Sequence, residues 1–195
     1  MIEHMSTMWN AISDLGDAAV TFPLAAACAI WIALSDRRLA TYWLIFLAAG
    51  VALVGTTKIL YAGCGIEINE IGFRVVSGHT MLSSAVWTTC IALLLRRAGL
   101  ASIGVSIGLA SGALIGAARV FEEAHTVSEV IAGWMLGSAV ALFFVRALGK
   151  SHVQLRGTAV AGASLLLVSG IAYGHHAPFQ ALIEQYSPGV CARFL

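Results

Sequence analysis

Two histidines of the sequence stand in patterns that could support chemistry, and the first is His125. It lies four residues before Glu129, so a helix would place both on one face. The carboxylate could then bind one ring nitrogen and leave the other as a nucleophile or base. An i, i+4 pair of this type also occurs as plain helix support, so two interpretations stay open.

The second histidine, His79, follows Ser77 and Gly78 directly before an apolar segment. The first amide groups of a helix have no partner within the helix and bind anions, and a glycine there lets a phosphate approach the backbone. The alternative is that Ser77 simply caps the helix. The sequence thus predicts either an anion site beside His79 or an ordinary helix start.

Six apolar segments must position these residues. They comprise residues 18–35, 39–57, 80–95, 98–118, 130–145 and 157–174. A helix needs ~20 residues to cross a bilayer core of ~30 Å, and the shorter segments extend through neutral polar neighbours. We therefore expect an all-α, polytopic membrane protein in which six transmembrane helices form a single domain over residues 1–195.

The composition supports a membrane protein. Hydrophobic residues make up 59% of the chain and charged residues only 11%, and the mean hydropathy is +0.87. Soluble domains carry about 25% charged residues. The net charge of +1 offers no basic surface for a nucleic acid, so we expect no nucleic-acid partner.

The N-terminal segment, residues 1–16, has apolar residues at near-helical spacing and no Lys or Arg. A cleaved signal peptide needs a positively charged start, so we expect none. The pattern favours an interfacial amphipathic helix on the membrane surface. Farther along, glycines recur every four residues from 104 to 116 and again at 133 and 137, which predicts close packing between helices.

The distribution of cations predicts the orientation. The loops after the first, third and fifth spans hold seven of the eleven Lys and Arg residues, and those loops lie on one side of a six-span protein. The positive-inside rule makes that side cytoplasmic. We therefore expect a multi-pass protein of the cell (inner) membrane, with both termini on the periplasmic or extracellular side.

Five ionisable residues then fall at one membrane level, on the outer side: Lys58, His79, Arg119, His125 and Glu129. Ionisable groups at membrane depth are costly and mark functional sites by default. Lys58 and Arg119 taken alone would be read as cations that snorkel to the interface. The convergence of all five favours a site.

These residues resemble the motifs of the type-2 phosphatidic acid phosphatase family, which belongs to a superfamily of lipid phosphatases and haloperoxidases. The third motif of that family is S-R-x5-H-x3-D, and Arg119, His125 and Glu129 match its spacing. The second motif, P-S-G-H, matches Ser77 to His79 except at its proline. The resemblance covers residues 55–145 and implies a helical-bundle phosphatase core.

The resemblance also implies roles for individual residues. His125 would be the nucleophile that forms a phosphohistidine, Glu129 would orient it, and His79 would protonate the leaving oxygen. No metal or other cofactor is implied, which agrees with the absence of metal-ligand spacing among the four cysteines. The predicted phosphate-binding residues are Lys58, Ser77, Gly78, Arg119 and Arg74.

Three departures from the family pattern affect this prediction. In the first motif, K-x6-R-P, Lys58 is followed seven residues later by Gly65 instead of arginine; Val76 replaces a proline, and Glu129 replaces an aspartate. Arg74 is the candidate substitute for the missing arginine, with contact to lipid headgroups as the alternative. Preorganised charge dominates phosphoryl transfer, so the missing arginine bears on activity.

The expected function is hydrolysis of a lipid phosphate or pyrophosphate, such as phosphatidate, phosphatidylglycerophosphate or a polyprenyl pyrophosphate. The rivals are a lipid phosphotransferase, a non-catalytic phospholipid-binding or transport protein, and, more remotely, an intramembrane serine protease that uses Ser77. Glu122 and Glu123 are expected to face water at the rim of the pocket. Cys64 and Cys191 both fall on the outer side, where a disulfide is permitted.

Overall fold

The computed structural model describes residues 2–150, 157–175 and 177–187, except for the side chains of residues 2–6. This part of the chain forms eight α-helices and one 3₁₀ turn (Asn69–Ile71), and its only strand pairing is an isolated bridge between Ile68 and Phe73. The helices are α1 (Ile2–Asp14), α2 (Ala18–Ala33), α3 (Arg37–Cys64), α4 (Gly78–Arg96), α5 (Ala101–Phe121), α6 (Val127–Gly149), α7 (Thr158–Ala172) and α8 (Phe179–Tyr186).

The expectation of an all-α, polytopic membrane protein is confirmed. Within the described residues, five helical segments are long and apolar enough to cross a membrane: Thr7–Ala33, Arg37–Cys64, Gly78–Arg96, Ala101–Phe121 and Val127–Gly149. The sixth predicted span corresponds to α7, which is apolar but has only 15 residues. Helix α7 begins after Gly157, whose φ is 68°, and ends where the backbone becomes extended at Tyr173. Its 15 residues span about 22 Å.

The N-terminal segment is helical, as predicted. Trp9 on α1 stacks on Phe121 at the end of α5, with ring centroids 4.5 Å apart. A tight turn then leads into α2, where the backbone N–H of Gly16 donates to Ser13 and that of Asp17 donates to Asp14. The position of α1 at the membrane interface stays a prediction.

Helix α4 lies at the centre of the bundle, packed against α2, α5 and α6. The glycines of α5 and α6 permit this packing. A Cβ added to Gly112 would lie 2.8 Å from the Cα of Ser84, and one added to Gly133 would lie 2.5 Å from the Ser77 carbonyl oxygen. The prediction that these glycines serve close helix packing is confirmed.

The segment between α3 and α4 is tied to the start of α6. The hydroxyl of Thr126 donates to the carbonyl of Gly72, and the hydroxyl of Ser128 donates to that of Ile71. The backbone N–H of Ser77, at the end of this segment, donates to the carbonyl of Glu129. These contacts bring the first turns of α4 and α6 together.

Candidate active site

The capping of α6 positions His125 and Glu129. Thr126 is the N-cap residue: its hydroxyl accepts the N–H of Glu129 at 3.4 Å, and the Glu129 carboxylate accepts the N–H of Thr126 at 3.1 Å. This reciprocal capping box fixes the Glu129 side chain beside the residue that precedes the cap. His125 Nδ1 lies 2.8 Å from Glu129 Oε2.

Glu129 is fully buried, and several donors satisfy its carboxylate. Besides the contacts of Oε2, Oε1 accepts the backbone N–H of Arg74 at 3.0 Å, the N–H of Val75 at 3.3 Å and Arg74 Nε at 3.2 Å. A buried carboxylate surrounded by donors acts as an acceptor. His125 Nδ1 is therefore the donor to Glu129, and the lone pair of the neutral ring lies on Nε2.

The environment of His125 favours a neutral imidazole. Burial lowers the pKa of His125 to about 4, and the positive charges of Arg119 and Lys58 act in the same direction. The Glu129 carboxylate opposes this shift but does not overcome it. At neutral pH the ring thus carries an unprotonated nitrogen, which is the state that a nucleophile needs.

Arg119 ends α5 with its guanidinium inside the protein. Nη1 donates to Ser13 Oγ at 2.9 Å and to Glu122 Oε2 at 2.7 Å. Nε is buried and has no hydrogen-bond partner in the described part of the chain. The expectation that Glu122 faces water was wrong, because this side chain is only 12% exposed and pairs with Arg119. Glu123 is exposed, as expected.

Lys58 and His79 share a cavity of about 290 Å³ between α2, α3, α4 and α8. Lys58 Nζ donates to Gln180 Oε1 at 2.6 Å. A Cβ added to Gly78 would lie 4.0 Å from the same Nζ, so the lysine ammonium lies over the first turn of α4. The rest of the lining is largely apolar and includes Phe22 and Phe179.

Ser77 and Arg74 both contact the structure around Glu129. Ser77 is the N-cap residue of α4, but its hydroxyl is buried, bonds to that of Thr80 at 3.0 Å and makes no capping hydrogen bond. Arg74 binds Glu129 through Nε, while its side chain stays 41% exposed. The ion pair with Glu129 raises the pKa of Arg74. Its predicted phosphate contact stays a prediction.

Comparisons with known proteins identify the family of the chain. The sequence pattern of the PAP2 superfamily matches residues 58–153. The chain is also similar to an "Uncharacterized 22.5 kDa protein in cps region" of Klebsiella pneumoniae, with 35% identity over 190 residues that cover 93% of this chain and 91% of the relative. The chain belongs to the PAP2 superfamily. No solved structure matched the chain.

Membership of the PAP2 superfamily supports a phosphatase-type hydrolase in general. The matched region contains all eight predicted site residues, from Lys58 to Glu129. Within the described residues, no group of three or more His, Cys, Asp or Glu side chains could hold a metal ion.

Several contacts of the predicted site residues with distant segments were not predicted from the sequence. Asp17 Oδ2 lies 3.4 Å from His79 Nε2, and Gln180 accepts from Lys58. One sequence feature could have indicated Asp17, because an acidic residue directly before an apolar segment is typical of a helix N-cap. No feature of the local sequence around Gln180 indicates a contact with Lys58.

The cysteines agree with the expectations in part. Cys28 and Cys90 are free and buried inside the apolar core. Cys64 is disulfide-bonded. Cys191, with which a disulfide was considered, lies outside the described residues.

Proposed function

We propose that this chain is an integral membrane lipid-phosphate phosphatase that hydrolyses a phosphate monoester or pyrophosphate of a lipid through a phosphohistidine. The observation that carries the proposal is the His125–Glu129 pair. Its buried carboxylate holds Nδ1 and leaves Nε2 of a neutral ring as the nucleophile. Candidate substrates are phosphatidate, phosphatidylglycerophosphate and a polyprenyl pyrophosphate.

The reaction proceeds in two displacements at phosphorus. In the first, His125 Nε2 forms a bond to phosphorus while the bond to the leaving oxygen breaks, and His79 donates a proton to that oxygen. In the second, water attacks phosphorus, His79 takes the proton of the water, and the P–N bond breaks. Covalent catalysis of this type divides one difficult displacement into two easier ones.

The phosphoryl oxygens are bound by groups that meet around the pair. Arg119 offers a buried Nε without a protein partner in the described residues, and Lys58 lies over the first turn of α4 at Gly78. These charges stabilise the transition state because they are fixed before the reaction starts. All of the proposed groups are protein side chains or amides, so the proposed chemistry needs no metal.

The cavity supports a lipid as the substrate. It joins a polar end, formed by Lys58, His79 and Gln180, to an apolar body lined by residues such as Phe22 and Phe179. Sites that bury an apolar ligand typically have only a few polar groups around an apolar volume. The phosphate group of a lipid would bind at the polar end of the cavity, and its apolar chain would fill the rest. With the predicted orientation, the site opens to the outer leaflet of the cell membrane.

A second candidate, a protein that binds a phospholipid without cleaving it, is favoured by one observation. Gly65, which stands where the family's first motif has arginine, is the left-handed C-cap of α3 at φ 65°. Glycine suits that conformation far better than arginine, and the phosphate-binding arginine of the family is absent at this position. A binding protein of this kind would hold the lipid phosphate through Lys58 and Arg119 without cleaving it.

Phosphate release by the purified protein in detergent separates these candidates. The substrates are phosphatidate, phosphatidylglycerophosphate and an isoprenyl pyrophosphate, each tested with a chelator present. We expect release that His125→Ala abolishes, whereas His175→Ala, which alters an exposed histidine outside the site, retains it. An acid-labile phosphoenzyme in the wild type would identify the intermediate.

Failure of the wild type to release phosphate from any of these lipids would contradict the hydrolase. Retention of intact lipid under those conditions would instead support the binding protein. Transfer of label to an added lipid acceptor, in place of water, would support the phosphotransferase.

A further inference from the structure

Asp17 is a buried carboxylate at the turn between α1 and α2, with its two oxygens facing different partners. Oδ1 accepts the N–H of Ala19 at 2.7 Å and the N–H of Ala177 at 3.1 Å. Oδ2 lies 3.4 Å from His79 Nε2. One oxygen therefore caps α2 and anchors the segment before α8, while the other faces the proposed general acid.

A close approach of two backbones brings Asp17 to His79. A Cβ added to Gly16 would lie 3.1 Å from the carbonyl oxygen of His79 and 2.7 Å from Ile115 Cγ2. A residue with a side chain would push this turn away from α4. The contact between Asp17 and His79 is thus built into the packing of the turn against α4.

The charged groups near His79 come from several elements. Lys58 on α3 lines the same cavity, and Arg119 on α5, Glu184 on α8 and Glu129 on α6 interact electrostatically with Lys58. The oxygens of Glu129 are occupied by their own donors. Among the described residues, Asp17 is the carboxylate in contact with His79.

We propose that Asp17 is a positioning residue for His79: its Oδ2 accepts Nε2–H and orients the ring, so that Nδ1–H of the protonated ring is donated to the leaving oxygen. The inference rests on the proposed function. When Nδ1 gives its proton to that oxygen, the ring becomes neutral and keeps its Nε2–H bond to Asp17.

Asp17→Asn tests the charge of Asp17 with little change of shape. The amide oxygen can keep the hydrogen bonds of Oδ1 to Ala19 and Ala177, while the negative charge beside His79 is lost. We expect kcat for phosphate release to fall about tenfold or more with KM nearly unchanged, because the ring loses its orientation and keeps its place in the cavity. Asp14→Asn, which removes the same charge one turn earlier, should leave both constants unchanged.

An NMR spectrum of the His79 ring, with labelled histidine in wild type and Asp17→Asn, provides a readout that needs no activity. We expect the Nε2 resonance of His79 to shift in Asp17→Asn, because its hydrogen-bond partner changes, and to stay unchanged in Asp14→Asn. An unchanged Nε2 resonance, or an equal loss of kcat in Asp17→Asn and Asp14→Asn, would overturn the role of Asp17. Absence of His125-dependent phosphate release in the wild type would instead contradict the proposed function, and the NMR comparison would still test Asp17.

Discussion

The site contains two histidine–carboxylate pairs that are built in different ways. His125 and Glu129 are four residues apart and are joined by the capping box of α6. His79 lies in the first turn of α4, Asp17 lies in the turn between α1 and α2, and the two meet where the turn at Gly16 packs against α4. The first pair is local in the sequence, whereas the second depends on tertiary packing.

The two carboxylates also differ in how they are satisfied. Glu129 is fully buried, and donors from the segment before α4 occupy its Oε1. Asp17 uses Oδ1 for backbone N–H groups, while Oδ2 faces His79, whose side chain is 28% exposed compared with 10% for His125. In the proposed mechanism the two pairs have different roles: the His125 ring attacks phosphorus, and the His79 ring gives a proton to the leaving group.

The largest effect is expected from Glu129→Gln. This change removes the charge that binds His125 and leaves the N–H groups of Arg74 and Val75 with a weaker acceptor. We expect kcat to fall by about 10³-fold or more, by analogy with loss of the orienting carboxylate in other triads. Steady-state phosphate release measures this. Glu123→Gln, at an exposed position in the loop before α6, is the control, and an equal loss there would contradict the assignment.

The pH dependence of the rate should report the protonation of His125. Because the pKa of His125 is about 4, its nucleophilic form is lost only in strongly acidic solution, so we expect the acid limb of kcat/KM near pH 4. The folded pKa lies below the usual value of about 6.5. The stability that a neutral His125 contributes is therefore present above pH 6.5 and lost between pH 6.5 and 4.

Thermal unfolding of the detergent-solubilised protein across this range should show that loss, and it should be smaller in His125→Gln. An acid limb near pH 6.5 would mean that burial does not lower the pKa of His125.

A substitution at Gly16 should disturb the His79–Asp17 pair and leave the His125–Glu129 pair unchanged. In Gly16→Ala the new methyl group would lie 3.1 Å from the carbonyl oxygen of His79 and 2.7 Å from Ile115 Cγ2, so we expect the turn to shift and carry Asp17 away from His79. We expect a loss of about 1–3 kcal/mol in stability and a lower kcat, with the acid limb unchanged. Gly170→Ala in α7, where nothing lies within 4 Å of the added Cβ, should change neither. A shift of the acid limb in Gly16→Ala would show that the pairs are not independent.

The smallest effect is expected from Arg74→Gln. Its Nε is one of several donors to Glu129, its backbone N–H remains, and the side chain is 41% exposed. We expect kcat to fall by less than about tenfold, in line with the small contribution of exposed ion pairs. Arg97→Gln, at an exposed position outside the site, serves as the control. A loss as large as that of Glu129→Gln would indicate direct phosphate binding by Arg74.

Much of the fold was predictable because the membrane imposes simple rules on sequence. A helix must satisfy its own backbone groups in lipid, so apolar segments separated by charges marked the helices from α2 to α7. The length of α7 was overestimated, since the apolar segment continues to Gly174 whereas the helix ends at Ala172. Hydropathy shows which residues are apolar, but it does not show where the backbone changes from helical to extended.

Features that depend on spacing along one helix could be derived from the local sequence. The pairing of His125 with Glu129, the glycine contacts of α5 and α6, and the apolar character of the bundle all follow from residues within a few turns of each other. Tertiary structure alone decided which groups complete the site. Asp17, Ser13 and Gln180 reach His79, Arg119 and Lys58 from distant segments. Their local sequences give no sign of these partners, because such contacts depend on how whole helices pack and on close approaches such as that at Gly16.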